Sequence, residues 1–319
     1  MFKVVIAGYG EMFTNIIAGT LDSGAEIVGV LRQDTVKYPA IIRKIKDILN
    51  PTNEYNYIKS YKLKEINAHK GINSKEFKKK LLELNPDILL VASWGEKIKK
   101  EIYDIPKIAS INVHPSLLPK YRGANPYYWV INNGEKKSGI SFHLIDENFD
   151  RGAIIAQDEI EILPDDTGDS LKKRTVLKAR GVVRELLKDL NEDIIIPLTQ
   201  IEEKASYYST PSDLEISCDK SAEENKRKAR AIFPWGNAYF YINTIPFKVF
   251  HENVGLEENL TVFDKVGTII STDYKKGEIK LVCADNKIMK FSNIEMYKPF
   301  GKILAKLYLK FFVKVGDIV

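Results

Sequence analysis

Cysteine is scarce in this chain of 319 residues, and the two that are present, Cys218 and Cys283, do not form a CxxC pair. A disulfide framework and a structural zinc site both need more cysteines than this, so neither is expected. No apolar run reaches the roughly 20 residues that a membrane-spanning helix needs, and the N-terminus reads as a strand, not as a signal peptide. These absences predict a cytoplasmic protein with no metal and no membrane partner.

Low-complexity tracts and internal repeats are missing as well, and the length predicts two domains, each large enough to bury its own core. The charge is unevenly distributed along the chain. Residues 226–319 carry 16 Lys and Arg against 9 Asp and Glu, whereas the remainder carries 32 against 34. Basic asymmetry of this kind is typical of a protein with a polyanionic partner.

The apolar pattern predicts an α/β fold for the first part of the chain, because continuous apolar runs at 3–7, 26–31 and 88–92 are typical of buried parallel strands. A long amphipathic helix ends at residue 190, and a connection rich in Pro and Ser follows it. From residue 238 on, short alternating strands with turn signals predict a small closed barrel. We therefore expect a first domain at 1–200, a linker at 201–222 and a second domain at 223–319.

The residues suited to catalysis are concentrated between positions 108 and 152. An apolar run there predicts a buried strand, and Asn112 and His114 project from the same side of it because they are two residues apart. A loop with two prolines follows this strand. Asp150 lies in a later loop, just before Gly152. Spacing alone does not tell which of three nearby acids reaches His114: Asp146, Glu147 or Asp150.

An amide, an imidazole and a carboxylate suit acyl transfer to a nitrogen. This reaction places negative charge on an oxygen, which Asn112 and His114 can stabilise as hydrogen-bond donors. An acid can orient the imidazole and help to move protons. No Ser or Cys stands in a nucleophile-elbow motif, which favours direct transfer without a covalent intermediate. Alternatively, His114 is structural. His143 has no partner at an informative spacing, so we assign it a structural role.

The run Asn-x-His-x-Ser-Leu-Leu-Pro at 112–119, then Tyr-Arg-Gly, then the Asp before Gly152, resembles the methionyl-tRNA formyltransferase family. These folate-dependent formyltransferases include relatives that formylate nucleotide-linked amino sugars. The resemblance covers almost the full chain. It implies a Rossmann-like formyltransferase domain with a mostly parallel sheet, followed by a small C-terminal OB-like β-barrel. It also implies that 10-formyltetrahydrofolate is the formyl-donor cosubstrate, and it implies neither a metal nor a nicotinamide cofactor.

The resemblance also assigns roles to individual residues. The catalytic residues would be Asn112, His114 and Asp150. The folate would contact Ser116, Leu117, Leu118 and Pro119. Ser93 and Trp94, in the loop after the strand at 88–92, are further candidates for this pocket, because open α/β sheets bind ligands beyond the carboxyl ends of their strands. The substrate would contact Lys120, Tyr121 and Arg122. Trp94 fits the wall of a pterin site and a place in the core equally well. Gly8 and Gly10 begin a dinucleotide fingerprint that lacks its third glycine, so we expect them to form a tight turn.

The acceptor amine is most consistent with that of methionyl-tRNA, because two domains and a basic C-terminal domain suit a tRNA partner. A predicted helix at 301–314 would carry a basic stripe, either anion-binding or simply solvated, made of Lys302, Lys306, Lys310 and Lys314.

Several departures favour an amino-sugar acceptor instead. Gly-Tyr-Gly-Glu-Met-Phe follows the first strand where the tRNA enzymes usually have Gly-Thr-Pro-x-Phe, and Ser217-Cys218-Asp219 replaces their usual Asp-Trp. Their basic, Gly-rich recognition loop is absent, although the region contains Lys37, Arg43, Lys44 and Lys46. A hydrolase that releases formate and a catalytically idle binding paralogue are further alternatives.

Overall fold

The structure is a computed structural model that describes residues 1–33, 40–68, 70–191, 196–261 and 264–319. Lys37 and the side chain of Arg43 lie outside the described part. The strands are β1 Lys3–Gly8, β2 Glu26–Arg32, β3 Ile88–Ala92, β4 Ala109–His114, β5 Arg122–Gly123, β6 Lys137–Leu144, β7 Ile154–Glu161, β8 Tyr207–Tyr208, β9 Ala238–Ile242, β10 Ile245–Val249, β11 Val254–Thr261, β12 Ile269–Asp273, β13 Glu278–Val282, β14 Lys287–Phe291 and β15 Glu295–Met296. The helices are α1 Gly10–Asp22, α2 Ala40–Leu49, α3 Asn53–Ser60, α4 Lys75–Leu84, α5 Lys100–Tyr103, α6 Pro126–Asn132, α7 Gly168–Asn191, α8 Ala222–Ile232 and α9 Gly301–Phe312.

The described residues form a six-stranded sheet in the order β2-β1-β3-β4-β6-β7. Its first four strands are parallel, whereas β6 and β7 join in antiparallel pairing. Strands β1 and β3 approach closely at Gly8, where an added Cβ would lie 2.1 Å from the carbonyl oxygen of Ala92. The prediction of an α/β domain with a mostly parallel sheet is therefore confirmed.

Alternate residues of the central strands enter two different cores, as expected for a sheet covered on both faces. Val4 and Ile6 of β1 belong to a cluster that includes Ile16 of α1 and Val183 of α7. On the other face, Val5 and Ala7 belong to a cluster with Phe77 and Leu81 of α4. The loops that follow the carboxyl ends of β3 and β4 lie where open α/β sheets bind ligands.

Helix α2 is anchored by a buried ion pair and exposes its apolar side chains. Arg32, at the end of β2, is fully buried; its Nη2 lies 2.8 Å from Oδ2 of Asp47 and its Nε lies 2.7 Å from Oε1 of Glu65. The exposed side chains of α2 include Ile41, Ile42, Lys44, Ile45, Lys46, Ile48 and Leu49. The contact between Asp47 and Arg32 therefore joins α2 to the end of β2.

The C-terminal part consists of antiparallel sheets, in the orders β15-β10-β9 and β11-β14-β13-β12 among the described residues. Their shared core contains Phe240, Phe247 and Phe291, together with Ala305 and Leu309 of α9. Helix α8 begins with a capping box in which Ser221 and Glu224 satisfy each other's backbone N–H groups. These barrel-like sheets confirm the predicted β domain.

The chain divides into two compact units, each built from more than one segment. Unit 1 comprises residues 1–126, 137–161 and 172–208. Unit 2 comprises residues 127–136, 162–171 and 209–319. Within unit 2, Arg230 donates a hydrogen bond to the carbonyl oxygen of Asp166, and Arg227 donates one to that of Asn132. The predicted boundaries at residues 200 and 223 stay a prediction. In the described ranges, we find no helix long and apolar enough to span a membrane.

Candidate active site

Strand β4 delivers Asn112 and His114 to one side of the sheet, as predicted from their spacing. The strand pairs with β3 on one side and with β6 on the other, so that Asn112 lies opposite His143 and His114 lies opposite Ser141. The His114 side chain is 6 % exposed. Its Nε2 donates to the carbonyl oxygen of Tyr121 at 2.8 Å, because a carbonyl can only accept.

Asp150 is the acid that lies against His114. Two hydrogen bonds fix its position, one to its carboxylate and one to its backbone carbonyl oxygen. Its Oδ2 accepts a hydrogen bond of 2.8 Å from the backbone N–H of Gly123. Its own carbonyl oxygen accepts one of 2.9 Å from Nε2 of Gln200. Gly123 has a φ of 92°, and an added Cβ would lie 2.3 Å from the carbonyl oxygen of Tyr208. Glycine is therefore required at the position that fixes the carboxylate.

The other oxygen of Asp150, Oδ1, lies at the centre of the site. It is 3.4 Å from Nδ1 of His114, 3.4 Å from Nδ2 of Asn112 and 3.5 Å from Nε2 of His143. The structure thus brings together the three residues predicted to be catalytic, and it settles which of the neighbouring acids faces His114.

His143 also belongs to this cluster, although it was predicted to be structural. Its Nε2 lies 3.0 Å from Nδ2 of Asn112, and its Nδ1 donates to the carbonyl oxygen of Leu144 at 2.9 Å. The prediction that His143 is structural rested on its lack of a partner at an informative spacing; strand pairing brings Asn112, 31 positions away in sequence, into contact with it. In the sequence, Ser141 and His143 alternate with apolar residues, which is typical of a strand, but this pattern does not show which strand lies beside it.

The surroundings lower the pKa of both ionisable partners. Burial lowers the pKa of His114, although the Asp150 carboxylate and the Tyr121 carbonyl act in the opposite direction. Burial acts to raise the pKa of Asp150, but its polar surroundings, including the 2.8 Å hydrogen bond from the Gly123 N–H, hold that pKa well below its usual value. At neutral pH the pair is therefore a carboxylate beside a neutral imidazole, which can take up a proton at Nδ1.

The Ser-Leu-Leu-Pro loop is fixed by its own hydrogen bonds. The Ser116 hydroxyl donates to the carbonyl oxygen of Lys120 at 2.8 Å. The Ser141 hydroxyl donates to the carbonyl oxygen of Ser116 at 2.6 Å, and Gln157 donates to that of Leu118 at 3.0 Å. Ser116 and Leu118 are buried, whereas Leu117 and Pro119 are half-buried. This loop is a preformed wall beside His114.

The three residues expected to contact substrate differ in exposure. Lys120 is exposed, whereas Tyr121 is buried and stacks on Tyr208 with ring centroids 5.1 Å apart. Arg122 is 2 % exposed. Its guanidinium donates to Oε1 of Gln200 at 2.8 Å and to both carboxylate oxygens of Glu202. The contacts of Arg122 thus hold the strand that carries Gly123.

Ser93 and Trp94 follow β3, away from the hydrogen bonds of the cluster. Ser93 adopts a φ of 63°, and the ring of Trp94 is partly buried against one core of the sheet. Within the described residues, the indole Nε1 of Trp94 and Oε1 of Gln33 are buried and have no hydrogen-bond partner. Trp94 therefore packs on the core and still offers one unused donor. Among these same residues, no group of three His, Cys, Asp or Glu side chains is placed to hold a metal ion.

Family models match both parts of the chain. The model described as formyl transferase matches residues 2–185, and the model described as formyl transferase, C-terminal domain, matches residues 209–299. The first match covers Asn112, His114, His143 and Asp150. The fold and the site therefore define a transferase of one-carbon groups: the chain belongs to the formyl transferase family.

Relatives within this family are methionyl-tRNA formyltransferases. The one from Clostridioides difficile (strain 630) is 34% identical over 293 residues, which cover 90% of each chain. The one from Thermotoga maritima is 29% identical over 287 residues, which cover 88% of this chain and 90% of the relative.

Solved structures share the fold at lower identity. An N-formyltransferase from Helicobacter canadensis, in complex with folinic acid and dTDP-3-aminofucose, superposes with a TM-score of 0.64 at 19% identity, covering 92% of this chain and 99% of that chain. A sugar 3N-formyl transferase solved with dTDP and 5-N-formyl-THF gives a TM-score of 0.63 at 20% identity, covering 92% and 98%.

Proposed function

We propose that this enzyme transfers the formyl group of 10-formyltetrahydrofolate to the amino group of methionyl-tRNA. The observation that carries the reaction is the convergence of Asn112, His114 and Asp150 within 3.4 Å contacts in a buried site. The acceptor is supported by the 34% identity to a methionyl-tRNA formyltransferase over 90% of both chains. Charged tRNA is used in the cytoplasm, where we place the reaction.

His114 is the proton carrier in this proposal. The neutral ring keeps its Nε2 hydrogen on the Tyr121 carbonyl, so its free lone pair is at Nδ1, beside Asp150. When the acceptor amine attacks the formyl carbon, Nδ1 receives the proton that the amine loses, and Asp150 stabilises the resulting imidazolium. His114 then returns this proton to the departing nitrogen of the donor. No net proton is gained or lost by the protein.

Asn112 supplies hydrogen-bond stabilisation to the formyl oxygen. Its Nδ2 carries two hydrogens, one directed at His143 over 3.0 Å and one directed at Asp150 over 3.4 Å. The second contact is long and therefore weak. The hydrogen in that contact can move to the oxygen on which negative charge develops, where a fixed donor lowers the barrier.

The folate supplies the formyl group when it is bound, and residues of the loops that follow β3 and β4 suit it. The indole N–H of Trp94 is a buried donor without a partner in the described part of the chain, which is the condition a polar heterocycle would satisfy. The loop at 116–119 is held in place by hydrogen bonds, and its Leu117 side chain is half-buried, whereas that of Leu118 is buried. We assign the donor to these two loops.

Two helices carry basic side chains that suit a tRNA. Helix α2 exposes Lys44 and Lys46. Helix α9 places Lys302, Lys306 and Lys310 four residues apart on one side, and of these Lys302 and Lys310 are exposed. Helix α9 ends at Phe312, so the fourth lysine of the predicted stripe, Lys314, lies beyond it. Phosphate contacts made by such lysines give affinity that depends on salt.

A nucleotide-linked amino sugar is the second candidate acceptor. The specific observation in its favour is the fold shared with the Helicobacter canadensis enzyme, whose complex contains dTDP-3-aminofucose. The Ser217-Cys218-Asp219 segment, in place of the usual Asp-Trp, points the same way. Release of formate to water, and binding without turnover, are the remaining candidates.

The test is a formyl-transfer assay with 10-formyltetrahydrofolate and methionyl-tRNA, nucleotide-linked amino sugars, or no acceptor. We expect methionyl-tRNA to be formylated, with turnover that falls as salt rises. Formylation of a sugar alone would establish the second candidate. Donor consumption without acceptor would show a hydrolase. The His114→Asn variant is the matched control, because it removes the proton carrier while keeping a polar side chain of similar size.

A further inference from the structure

His143 has neighbours that determine which of its ring nitrogens carries hydrogen. Nδ1 lies 2.9 Å from the carbonyl oxygen of Leu144, and that oxygen can only accept. Nδ1 is therefore the protonated nitrogen of the neutral ring, and Nε2 presents a lone pair. The ring is 2 % exposed, so solvent has little access to either nitrogen.

This lone pair fixes the orientation of the Asn112 amide. Nδ2 of Asn112 lies 3.0 Å from Nε2 of His143 and 3.4 Å from Oδ1 of Asp150. Both partners are acceptors, so a nitrogen must occupy this position. Turning the amide over would place its oxygen against a lone pair and a carboxylate. The amide orientation is thus specified twice, and the shorter contact is the one to His143.

The backbone builds this arrangement. Asn112 and His143 are directly paired across the antiparallel strands β4 and β6. The pairing of β6 with β7 shifts register between Phe142 and His143. Gly152 has no side chain where a Cβ would lie 1.8 Å from the Leu144 carbonyl oxygen, the acceptor for His143. The position of the His143 imidazole therefore depends on the register of its strand and on the absence of a side chain at Gly152.

We propose that His143 is a positioning residue for formyl transfer. By accepting one hydrogen of Asn112, it holds the amide nitrogen toward the reacting atoms and leaves the second hydrogen available to the developing negative charge. Without His143, Asp150 alone orients the amide over a long contact, and the amide oxygen can face the reacting atoms instead. This proposal rests on the proposed formyl transfer.

The first test measures the tautomer directly. The chain contains four histidines, so nitrogen NMR of histidine-labelled protein gives few signals, and substituting the other three one at a time identifies the His143 signal by elimination. We expect the His143 ring to carry hydrogen at Nδ1 and none at Nε2 at neutral pH. Hydrogen at Nε2 would overturn the proposal, because Asn112 could then no longer donate to that nitrogen. This test needs no activity and no folded variant of the residue in question.

The second test measures coupling to Asn112. We expect His143→Phe to lower kcat by about 10- to 100-fold and to leave both KM values within about twofold of the parent. In an Asn112→Ala background the same change should lower kcat by less than about threefold, because its target is already gone. His251→Phe, in the other unit, controls for loss of a histidine. Equal losses in both backgrounds, or an unchanged kcat, would overturn the proposal. Failure of the parent enzyme to formylate methionyl-tRNA would instead count against the proposed function.

Discussion

Oδ1 of Asp150 lies 3.4 Å from Nδ1 of His114, while the opposite nitrogen of the same ring donates to the Tyr121 carbonyl. The neutral ring therefore makes one good hydrogen bond and directs its lone pair toward a carboxylate. Taking up a proton converts this contact into a charge-assisted hydrogen bond. Proton uptake, which the proposed reaction requires, should therefore strengthen the contact between His114 and Asp150.

The pH dependence of activity follows from the lowered pKa of His114. Because burial favours the neutral ring, we expect kcat/KM to stay level as the pH falls to 6.5, the ordinary pKa of histidine, and to decline only below it. Replacing Asp150 by Asn removes a group that raises this pKa, so the decline should move to still lower pH in a weaker enzyme. A wild-type decline centred above pH 6.5 would contradict the assignment. Steady-state rates across a pH series provide the measurement.

Stability should depend on the same residue. In the unfolded chain His114 gains a proton below pH 6.5, whereas in the folded protein it does so only at lower pH. The unfolded state thus binds more protons in this window, and the unfolding free energy should fall as the pH drops below 6.5. Denaturant unfolding of wild type and His114→Asn over this range tests the expectation. An identical pH slope for both proteins would show that other groups cause the loss.

Gly123 is predicted to be indispensable for the placement of Asp150. Gly123→Ala adds a Cβ 2.3 Å from the Tyr208 carbonyl oxygen at a φ of 92°. We expect a loss of about 1–3 kcal/mol of unfolding free energy and a drop in kcat larger than any change in KM. Gly181→Ala, in the interior of α7 with open space around the added Cβ, is the control and should stabilise by about 0.5–1 kcal/mol. Matched losses in the two variants would refute the close-approach explanation.

The buried Arg32–Asp47 pair should contribute strongly to stability. Asp47→Asn removes the charge that faces a fully buried guanidinium over 2.8 Å, and we expect a loss of about 1–3 kcal/mol. Glu83→Gln, which breaks ion pairs to Lys79 and Lys80 on the exposed side of α4, should leave the melting temperature unchanged. Thermal unfolding of both variants decides the matter. An Asp47→Asn melting temperature equal to that of wild type would mean that Glu65 alone satisfies Arg32.

The basic side of α9 can be tested through salt dependence. Replacing Lys302, Lys306 and Lys310 by Ala should weaken methionyl-tRNA binding and reduce the slope of log affinity against log salt by about one for each lost phosphate contact. Lys275 and Lys276, in a turn of the same unit, are a control pair outside the helix. If the α9 variant keeps the wild-type slope, these lysines serve solubility and the tRNA docks elsewhere.

The features that could be predicted from the sequence are those that depend on local residue patterns. Alternation along β4 placed Asn112 and His114 on one side, and apolar runs located the parallel strands. Asp150 was selected by family resemblance, because several acids lie within five positions of one another. The contact to His143 depends on β6 lying antiparallel beside β4, which no local pattern encodes.

The most distant connections were predicted least well. Gln200 and Glu202 bind Arg122 from 78 and 80 positions away, although the second of them lies in a segment expected to be a linker. The segment that contains Gln200 and Glu202 is polar and typical of a loop. Nothing in its sequence predicted that these two side chains contact a strand beside the site. The charge of Arg122 gave no indication that its side chain is buried. A buried guanidinium is tolerated only when it is paired, and the partners of Arg122 could not be predicted.

The chain passes between its two compact units at residues 126, 136, 161, 171 and 208. A gene fragment that begins after residue 208 would therefore lack two of the three segments of unit 2. Exchange of the C-terminal part between family members by a single crossover would separate residues that fold together. A chimera designed to change the acceptor should therefore transplant all three segments.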